Sequence, residues 1–193
     1  MTKTSAAKWS TRDLMVTIVI GLAFGVLLIP VTYAYAALLS LGVLARSLLS
    51  GVYFLPAAFA AYVIRKPGSI LLVCLVSALA AMPFTAYGFI MLMVGLLTGV
   101  IGELVTWLFT RYRNFGLGRF ALAGAVGGLL EFLLILASLR TTQFELGILV
   151  LALLVSALTF GLSAVLAKLL ADAVARTGVL ANTALGRTNI EEI

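Results

Sequence analysis

Long apolar runs, separated by short charged or turn-forming segments, make up most of the chain. The sharpest separator is Arg65-Lys66-Pro67-Gly68, two positive charges followed by a turn dipeptide. Because about 20 apolar residues cross a bilayer as a helix, the pattern predicts six spans. They are residues 14–33, 47–64, 69–84, 88–110, 119–139 and 146–170. We expect Pro30 to bend the outer end of the first span, and Pro83 to shorten the third.

Composition agrees with helices that lie in lipid. Hydrophobic residues make up 63% of the 193 residues and charged residues only 10%, whereas a soluble domain carries about 25% charge. The surface of such a chain is too apolar for water. The sequence therefore predicts an all-α integral membrane protein, with residues 1–193 forming one domain of six transmembrane helices in one compact bundle and no separate soluble domain.

The positive charges predict the orientation of the bundle, because Lys and Arg are retained on the cytoplasmic side. With the N-terminus inside, only Arg46 and Arg140 lie at outer ends. The cytoplasmic ends hold Lys3, Lys8, Arg12, Arg65, Lys66, Arg111, Arg113, Arg119, Lys168, Arg176 and Arg187. We therefore expect a multi-pass protein of the plasma membrane with both termini cytoplasmic. The net charge of +6 is spread over the ends of the spans, so nucleic-acid binding is not expected.

The chain lacks the residue patterns of an enzyme. It has no histidine, which removes the most common general base and metal ligand, and its one cysteine, Cys74, lies inside an apolar run. Gly161-Leu-Ser163 lacks the second glycine of a nucleophile elbow, and no phosphate-binding glycine loop is present. The sequence predicts no catalysis, no cofactor and no metal site. Uphill transport would need energy from a partner or from an ion gradient.

Glycines four residues apart occur in three of the runs. This spacing places both glycines on one helix face, where another backbone can approach closely. The pairs are Gly21/Gly25, Gly95/Gly99 and Gly124/Gly128. Each pair serves either packing inside the bundle or contact with another subunit. We favour contact with another subunit for Gly21/Gly25 on the first helix.

Two glutamates lie inside predicted spans, where an ionised group is costly unless it is paired or hydrated. Glu103 shares a helix face with Gly99 and Trp107, and Glu131 lies three residues after Gly128. Both are therefore expected to point inward. They lie roughly 12–13 Å from the ends of their spans, Glu103 from the inner and Glu131 from the outer end, so a catalytic pair is not expected. Each either contacts a ligand or bonds to backbone and hydroxyl groups.

The predicted outer ends carry one arginine and several tyrosines. Arg46 is either an interfacial anchor or part of an outward-facing pocket. The tyrosines Tyr33, Tyr35, Tyr53 and Tyr87 fit an aromatic interfacial belt, or a pocket for a planar ligand. The candidate substrate-binding residues are accordingly Glu131, Glu103, Arg46, Tyr53, Tyr87 and Trp107.

Several segments together resemble the substrate-binding (S) components of energy-coupling factor (ECF) transporters, in particular the YkoE-like family linked to thiamine and hydroxymethylpyrimidine. The resemblance covers essentially the whole chain. Its most specific segment is the run from Tyr62 to Gly68. The others are Trp9-Ser-Thr-Arg12-Asp13, Gly99-Val-Ile-Gly102-Glu103 with Arg111-Tyr-Arg113, and Thr177-Gly-Val-Leu180.

The resemblance implies a six-helix protein that captures a vitamin or its precursor near the outer face. A transmembrane T component and two cytoplasmic ATPases would then power uptake, with small residues of the first helix docking on the T component, which fits Gly21 and Gly25. The family has acids near the start of the second helix and along the third, where this chain has Arg46, Cys74 and Ala80-Ala81. An uncharged pyrimidine precursor or another small metabolite is therefore also open as the ligand.

Two other functions remain open from the residues alone. One is a ligand-free membrane scaffold whose inward glutamates only organise packing. The other is a gradient-driven carrier of a small solute, with Glu103 or Glu131 as its proton site. Retention of a ligand distinguishes the scaffold from the S component, and sensitivity of uptake to an uncoupler identifies the carrier.

Overall fold

A computed structural model describes residues 9–38, 41–139, 145–178 and 183–185 of the chain. Over these residues the structure consists of helices and connecting turns, with no strand. The helical segments are α1 (Thr11–Leu38), α2 (Val43–Ile64), α3 (Ser69–Phe84), α4 (Ile90–Thr110), α5 (Leu117–Leu139) and α6 (Leu146–Arg176). Five of them are long and apolar enough to cross a membrane, and α3 is a shorter apolar helix.

The first and last helices are longer than the sequence pattern predicts. Helix α1 continues through Pro30 to Leu38, so Tyr35, which lies beyond the predicted span of residues 14–33, is also helical. Pro30 has no N–H to donate, but the chain on both sides of it remains apolar and packed. Helix α6 extends to Arg176, about one and a half turns beyond residue 170.

Helix α2 lies at the centre of the bundle. Its first part, Val43–Ser50, leads through a 3-10 turn at Gly51–Phe54 into a second part, Leu55–Ile64. All nine residues of the range Pro56–Ile64 are buried. A helix that is apolar on every side is buried on every side, and the four alanines in this range let neighbouring helices approach closely.

Glycine pairs mark the closest contacts between neighbouring helices. Gly95 on α4 faces α3, where an added Cβ would lie 2.7 Å from the Cβ of Ala78. Gly124 and Gly128 on α5 face α6, where an added Cβ would lie 2.6 Å and 2.7 Å from backbone oxygens. In the bundle α3 packs between α1 and α4, and α6 packs between α2 and α5. The glycine spacing therefore determines how closely these backbones pair.

One end of the bundle, which we call the basic end, holds the start of α1, the α2–α3 turn, the α4–α5 turn and the end of α6. Ser10 and Asp13 form a reciprocal cap at the start of α1, in which each backbone N–H donates to the other side chain. Asp13 also pairs with Lys66 at 2.6 Å, and the indole N–H of Trp9 donates to the carbonyl of Pro67. These contacts fasten α1 to the α2–α3 turn.

A second group of side chains at the basic end joins α2 to α6. The hydroxyl of Tyr62 donates to Asp172 and accepts a hydrogen bond from Lys168. The guanidinium of Arg65 lies over the rings of Tyr62 and Phe115, at 5.1 Å and 5.4 Å from the ring centroids. Of the residues on which the orientation was predicted, Lys3, Lys8, Arg140 and Arg187 lie outside the described residues.

The outer surface of the bundle is covered by large apolar side chains. Examples are Val19, Leu22, Val26, Leu104, Trp107, Leu154, Leu158 and Leu162. These side chains lie on the faces of α1, α4 and α6 that no other helix covers. A surface of this kind is compatible with lipid and incompatible with water.

Candidate functional site

A cleft at the end of the bundle opposite the basic end contains the strongest candidate site. We call it the Arg46 cleft. It is lined by Tyr35, Val43, Arg46, Ser47, Ser50, Glu131, Phe132, Ile135, Leu136, Ser156 and Phe160. These residues come from α1, α2, α5 and α6, so the cleft forms only when the bundle is assembled. It contains about 460 Å³, including space open to the outside, but little of this space is wide enough for a water molecule.

Arg46 is half-buried in the wall that α2 contributes. Its Nε and Nη2 atoms donate to the hydroxyl oxygen of Tyr35 on α1, at 3.1 Å and 3.0 Å. The guanidinium carbon also lies 5.4 Å from the centroid of the Tyr35 ring. The ring of Tyr35 in turn packs edge-on against Tyr53, with centroids 5.6 Å apart. Tyr35 therefore fixes the direction of the arginine in the cleft.

Glu131 contributes a carboxylate from α5 on another wall. It is 9% exposed, and its Oε1 atom accepts a hydrogen bond from Thr98 of α4 at 3.1 Å. Its Oε2 atom is buried and has no hydrogen-bond partner in the part of the chain that the structure describes. A buried carboxylate oxygen without a partner carries a large desolvation cost. Glu131 therefore has one oxygen available for a ligand that brings its own donor.

Hydroxyl groups join α2 to α6 along the floor of the cleft. Thr159 donates to the carbonyl of Ser47 at 3.2 Å, and the hydroxyls of Ser50 and Ser156 lie 3.5 Å apart. Ser156 also donates to the carbonyl of Gly128. The remaining wall is apolar and includes Phe160, whose ring stacks on Phe54 inside the core. A flat, polar-edged molecule matches such walls.

A second cleft lies beside the first, on the opposite side of Thr98. We call it the Tyr53 cleft. It is lined by Leu28, Tyr53, Pro56, Cys74, Ser77, Ala78, Met91, Val94, Gly95 and Thr98, and it contains about 320 Å³, mostly too narrow for water. The Tyr53 hydroxyl donates to Thr32 at 3.1 Å. The buried hydroxyl of Tyr87 has no partner. Thr98 lines this second cleft and donates to Glu131, which lines the Arg46 cleft, so the two clefts are linked by one hydrogen bond.

Glu103 and Trp107, also candidate substrate-binding residues, lie at the basic end and away from the Arg46 cleft. The Oε1 atom of Glu103 accepts the backbone N–H of Gly68 and the hydroxyl of Tyr112, both at 2.5 Å. Burial, followed by the hydrogen bond to Glu103, raises the pKa of Tyr112 in the α4–α5 turn, so its phenol remains a donor. Trp107 is 52% exposed and lines a shallow apolar hollow beside Glu103. The structure thus gives Oε1 of Glu103 bonding partners from two turns, whereas its buried Oε2 has no partner among the described residues.

The glycines proposed for subunit docking lie inside the bundle. A Cβ added at Gly21 would lie 2.7 Å from Val76, and one at Gly25 would lie 2.6 Å from Ala80, both on α3. Both glycines are buried. The glycine spacing allows either packing within the bundle or contact with another subunit. In the structure, Gly21 and Gly25 pack against α3 within the bundle.

The sequence patterns predict Arg46 and Glu131 as candidate site residues, but they do not predict several of the residues that surround them. Phe132, Phe160 and Ser156 line the cleft, yet each is an ordinary residue in an apolar helix and carries no sequence signal of its own. The sequence predicts Tyr35 only as one of several tyrosines at the outer ends of the spans. The bond of Tyr35 to Arg46 depends on α1 remaining helical beyond residue 33, which the sequence pattern did not predict.

Comparisons with known proteins agree with this architecture. The family model described as "ABC-type cobalt transport system, permease component" matches residues 12–130. A protein of Bacillus subtilis (strain 168) named as an HMP/thiamine permease, YkoE, is 29% identical over 182 residues, which cover 93% of this chain and 91% of that protein. A crystal structure of an S-component of an ECF transporter matches with a TM-score of 0.84 and 29% identity, over 96% of this chain and 95% of that one.

The chain forms a helical membrane bundle with a cleft at one end, and it matches the solved S-component over nearly its whole length. These two observations define its class: it is an S component of an ECF transporter. The chain belongs to the family described as the permease component of ABC-type cobalt transport systems, and it is an S component that resembles YkoE. The predicted fold class and the recognition of the family are therefore confirmed. The protein is a multi-pass membrane transport subunit and not an enzyme, as predicted.

Proposed function

We propose that this S component captures hydroxymethylpyrimidine, thiamine or a related aminopyrimidine, and delivers it for ATP-driven uptake. Two observations support this proposal: the similarity to the permease named for hydroxymethylpyrimidine (HMP) and thiamine, and the chemistry of the Arg46 cleft. The observation that carries the proposal is the buried Oε2 atom of Glu131, which lacks a donor. The amino group of an aminopyrimidine supplies such a donor on the edge of a planar ring.

The flat ring of the ligand fits the apolar walls of the same cleft. Phe132 and Phe160 lie beside Glu131 among its lining residues. Aromatic side chains bind a planar ring by stacking or edge contact, which adds about 0.5–1.5 kcal/mol per pair. The ring is larger than a water molecule, so binding requires the walls of the cleft to separate.

An organic ligand suits these residues better than a metal ion, although the family description names cobalt. The chain has no histidine, and among the described residues no three Cys, Asp or Glu side chains come together. Cobalt prefers nitrogen and sulfur ligands in proteins, and an imidazole is the most common of them. The donor set of the Arg46 cleft, one carboxylate and one arginine, does not form such a site.

The proposed partners are a T component in the membrane and two cytoplasmic ATPases. The chain has no phosphate-binding loop of its own, so ATP hydrolysis must occur on another subunit. With both termini cytoplasmic, the basic end faces the cytoplasm and the Arg46 cleft faces outward, where it meets the ligand. The bias of Lys and Arg toward the basic end supports this orientation.

Equilibrium binding to the purified full-length protein tests the proposal. We would measure hydroxymethylpyrimidine, thiamine and Co²⁺ by calorimetry, and use native mass spectrometry to identify any molecule that remains bound. Saturable binding of a pyrimidine at one per chain is expected, with no saturable binding of Co²⁺. Failure of both pyrimidines to bind would contradict the proposal and favour the scaffold. Uptake that an uncoupler abolishes while ATP is maintained would favour the carrier.

A further inference from the structure

The Arg46 cleft contains a basic and an acidic side chain that form no ion pair with each other within the described residues. Arg46 lies on α2 and Glu131 on α5, and both line the same narrow space. Within the described residues, the ion pairs are Lys66–Asp13 and Lys168–Asp172, both at the basic end. Neither Arg46 nor Glu131 has a salt-bridge partner among these residues. Removing a charge from water without pairing it is costly, so each is expected to find its partner in a ligand.

Tyr35 and Arg46 together form a site that donates hydrogen bonds. Arg46 uses its Nε atom and one Nη atom on the hydroxyl oxygen of Tyr35. Its other Nη atom retains both N–H groups, because a guanidinium has five donors. The Tyr35 hydroxyl accepts from Arg46 and keeps its own O–H to donate. Two different groups that line the cleft thus have donors left for a ligand.

The nearby serines do not compete for this role. Ser47 donates its hydroxyl to the carbonyl of Val43, and Ser50 donates to the carbonyl of Ser47. Their donors are already used within α2. The free donors of the cleft are therefore concentrated at Arg46 and Tyr35, while the free acceptor is Oε2 of Glu131.

We propose that the Arg46 cleft selects a ligand that carries an anionic group, a phosphate monoester or a carboxylate, at one end and a donor edge at the other. Arg46 and Tyr35 bind the anionic group, and Glu131 binds the donor edge. This inference rests on the proposed function for the pyrimidine part of the ligand. Its consequence is that a phosphate ester of hydroxymethylpyrimidine binds more tightly than the alcohol, and that cationic thiamine binds less tightly than either.

The decisive experiment compares three ligands on the purified full-length protein: hydroxymethylpyrimidine, its phosphate monoester and thiamine. A charge-assisted hydrogen bond to a phosphate corresponds to about 10- to 100-fold in affinity, so the ester should bind more tightly than the alcohol by that factor. Arg46→Gln should remove this difference, so that the ester and the alcohol bind to the variant with the same affinity. Arg46→Lys, which keeps the charge but not the fork of donors, should give an intermediate ratio.

Matched measurements separate this inference from the proposed function. Arg113→Gln removes an exposed arginine at the basic end and should leave the ratio of affinities unchanged. Inorganic phosphate is a second probe, which does not depend on pyrimidine binding. It should raise the thermal stability of the unsubstituted protein and have no such effect on Arg46→Gln. If the pyrimidines fail to bind but the phosphate effect requires Arg46, the proposed function fails while the anion site stands.

Two results would overturn the inference. One is equal affinity of the unsubstituted protein for the alcohol and the ester, or tighter binding of thiamine. The other is a lipid phosphate as the true partner of Arg46. In native mass spectrometry, loss of one bound phospholipid in Arg46→Gln, without any change in the ratio of ligand affinities, would assign the arginine to the lipid.

Discussion

The hydroxyl of Ser77 on α3 donates a hydrogen bond to the backbone carbonyl of Gly21 on α1, over 2.9 Å and inside the bundle. A side chain as short as serine reaches a backbone oxygen of another helix only where the two helices are very close. The absence of a side chain at Gly21 and Gly25 makes that distance possible. The α1–α3 contact is therefore a structural requirement of the fold.

Gly25→Leu should destabilise the bundle before it affects any partner. An added Cβ already lies 2.6 Å from Ala80 and 2.9 Å from the carbonyl oxygen of Ser77, so α1 must move away from α3. Overpacking of this kind costs about 1–3 kcal/mol, and more where backbone must shift. Thermal unfolding in detergent would show the loss. Ala23→Leu, at an exposed position of α1, is the control and should leave the unfolding temperature unchanged.

Glu131→Gln should weaken ligand binding without unfolding the protein. The amide keeps an oxygen to accept from Thr98, but it replaces Oε2, the acceptor proposed for the ligand, with an NH₂ group that can only donate. Loss of a charge-assisted hydrogen bond corresponds to about 10-fold or more in affinity. Calorimetry with hydroxymethylpyrimidine measures the effect. An unchanged affinity would remove Glu131 from the ligand site.

Glu103→Ala should show the opposite combination of effects. Gly68 and Tyr112 would lose their acceptor, and an unsatisfied buried donor costs about 1–3 kcal/mol. The unfolding temperature should fall while the affinity for ligand remains unchanged, because the Arg46 cleft lies at the other end of the bundle. A large loss of affinity in a protein that remains folded would instead place Glu103 in the binding site.

Cysteine labelling in whole cells should reveal the orientation of the chain. Cys74 is buried, so it provides little background reaction with a membrane-impermeant maleimide. Leu41→Cys, at an exposed position near the start of α2, should react in intact cells. Arg113→Cys, at the basic end, should react only after the membrane is permeabilised. The reverse pattern would contradict the proposed orientation with both termini cytoplasmic.

The sequence predicted the directions of side chains within a helix better than the contacts between helices. Glu131 lies inward because it shares a face with Gly128, and a three-residue spacing is sufficient to predict that. Glu103 shares a face with Gly99 in the same way. Its partners Gly68 and Tyr112, however, come from turns in which both residues have positive φ, at 88° and 56°. No periodic pattern locates a contact between two turns.

The neighbours of Arg46 in the cleft could not be predicted from the sequence either. The count of positive charges places Arg46 at an outer end of the bundle. Such a count predicts the depth of a residue in the membrane but not the residues that it contacts. The bond of Arg46 to Tyr35 joins two helices through a part of α1 that lies beyond the predicted end of the first span at residue 33. Whether a proline ends a helix in a membrane depends on the packing around it, and a single sequence does not contain that packing.

The narrowness of the Arg46 cleft also affects how the protein should behave alone and in a complex. If only a small fraction of molecules is open wide enough for a ligand, the apparent Kd of the isolated chain exceeds the intrinsic Kd by the inverse of that fraction. A subunit that binds the open form preferentially then raises ligand affinity, and by thermodynamic reciprocity the ligand raises affinity for that subunit by the same factor. A closed, narrow cleft would thus make the loaded chain distinguishable from the empty one to its partners.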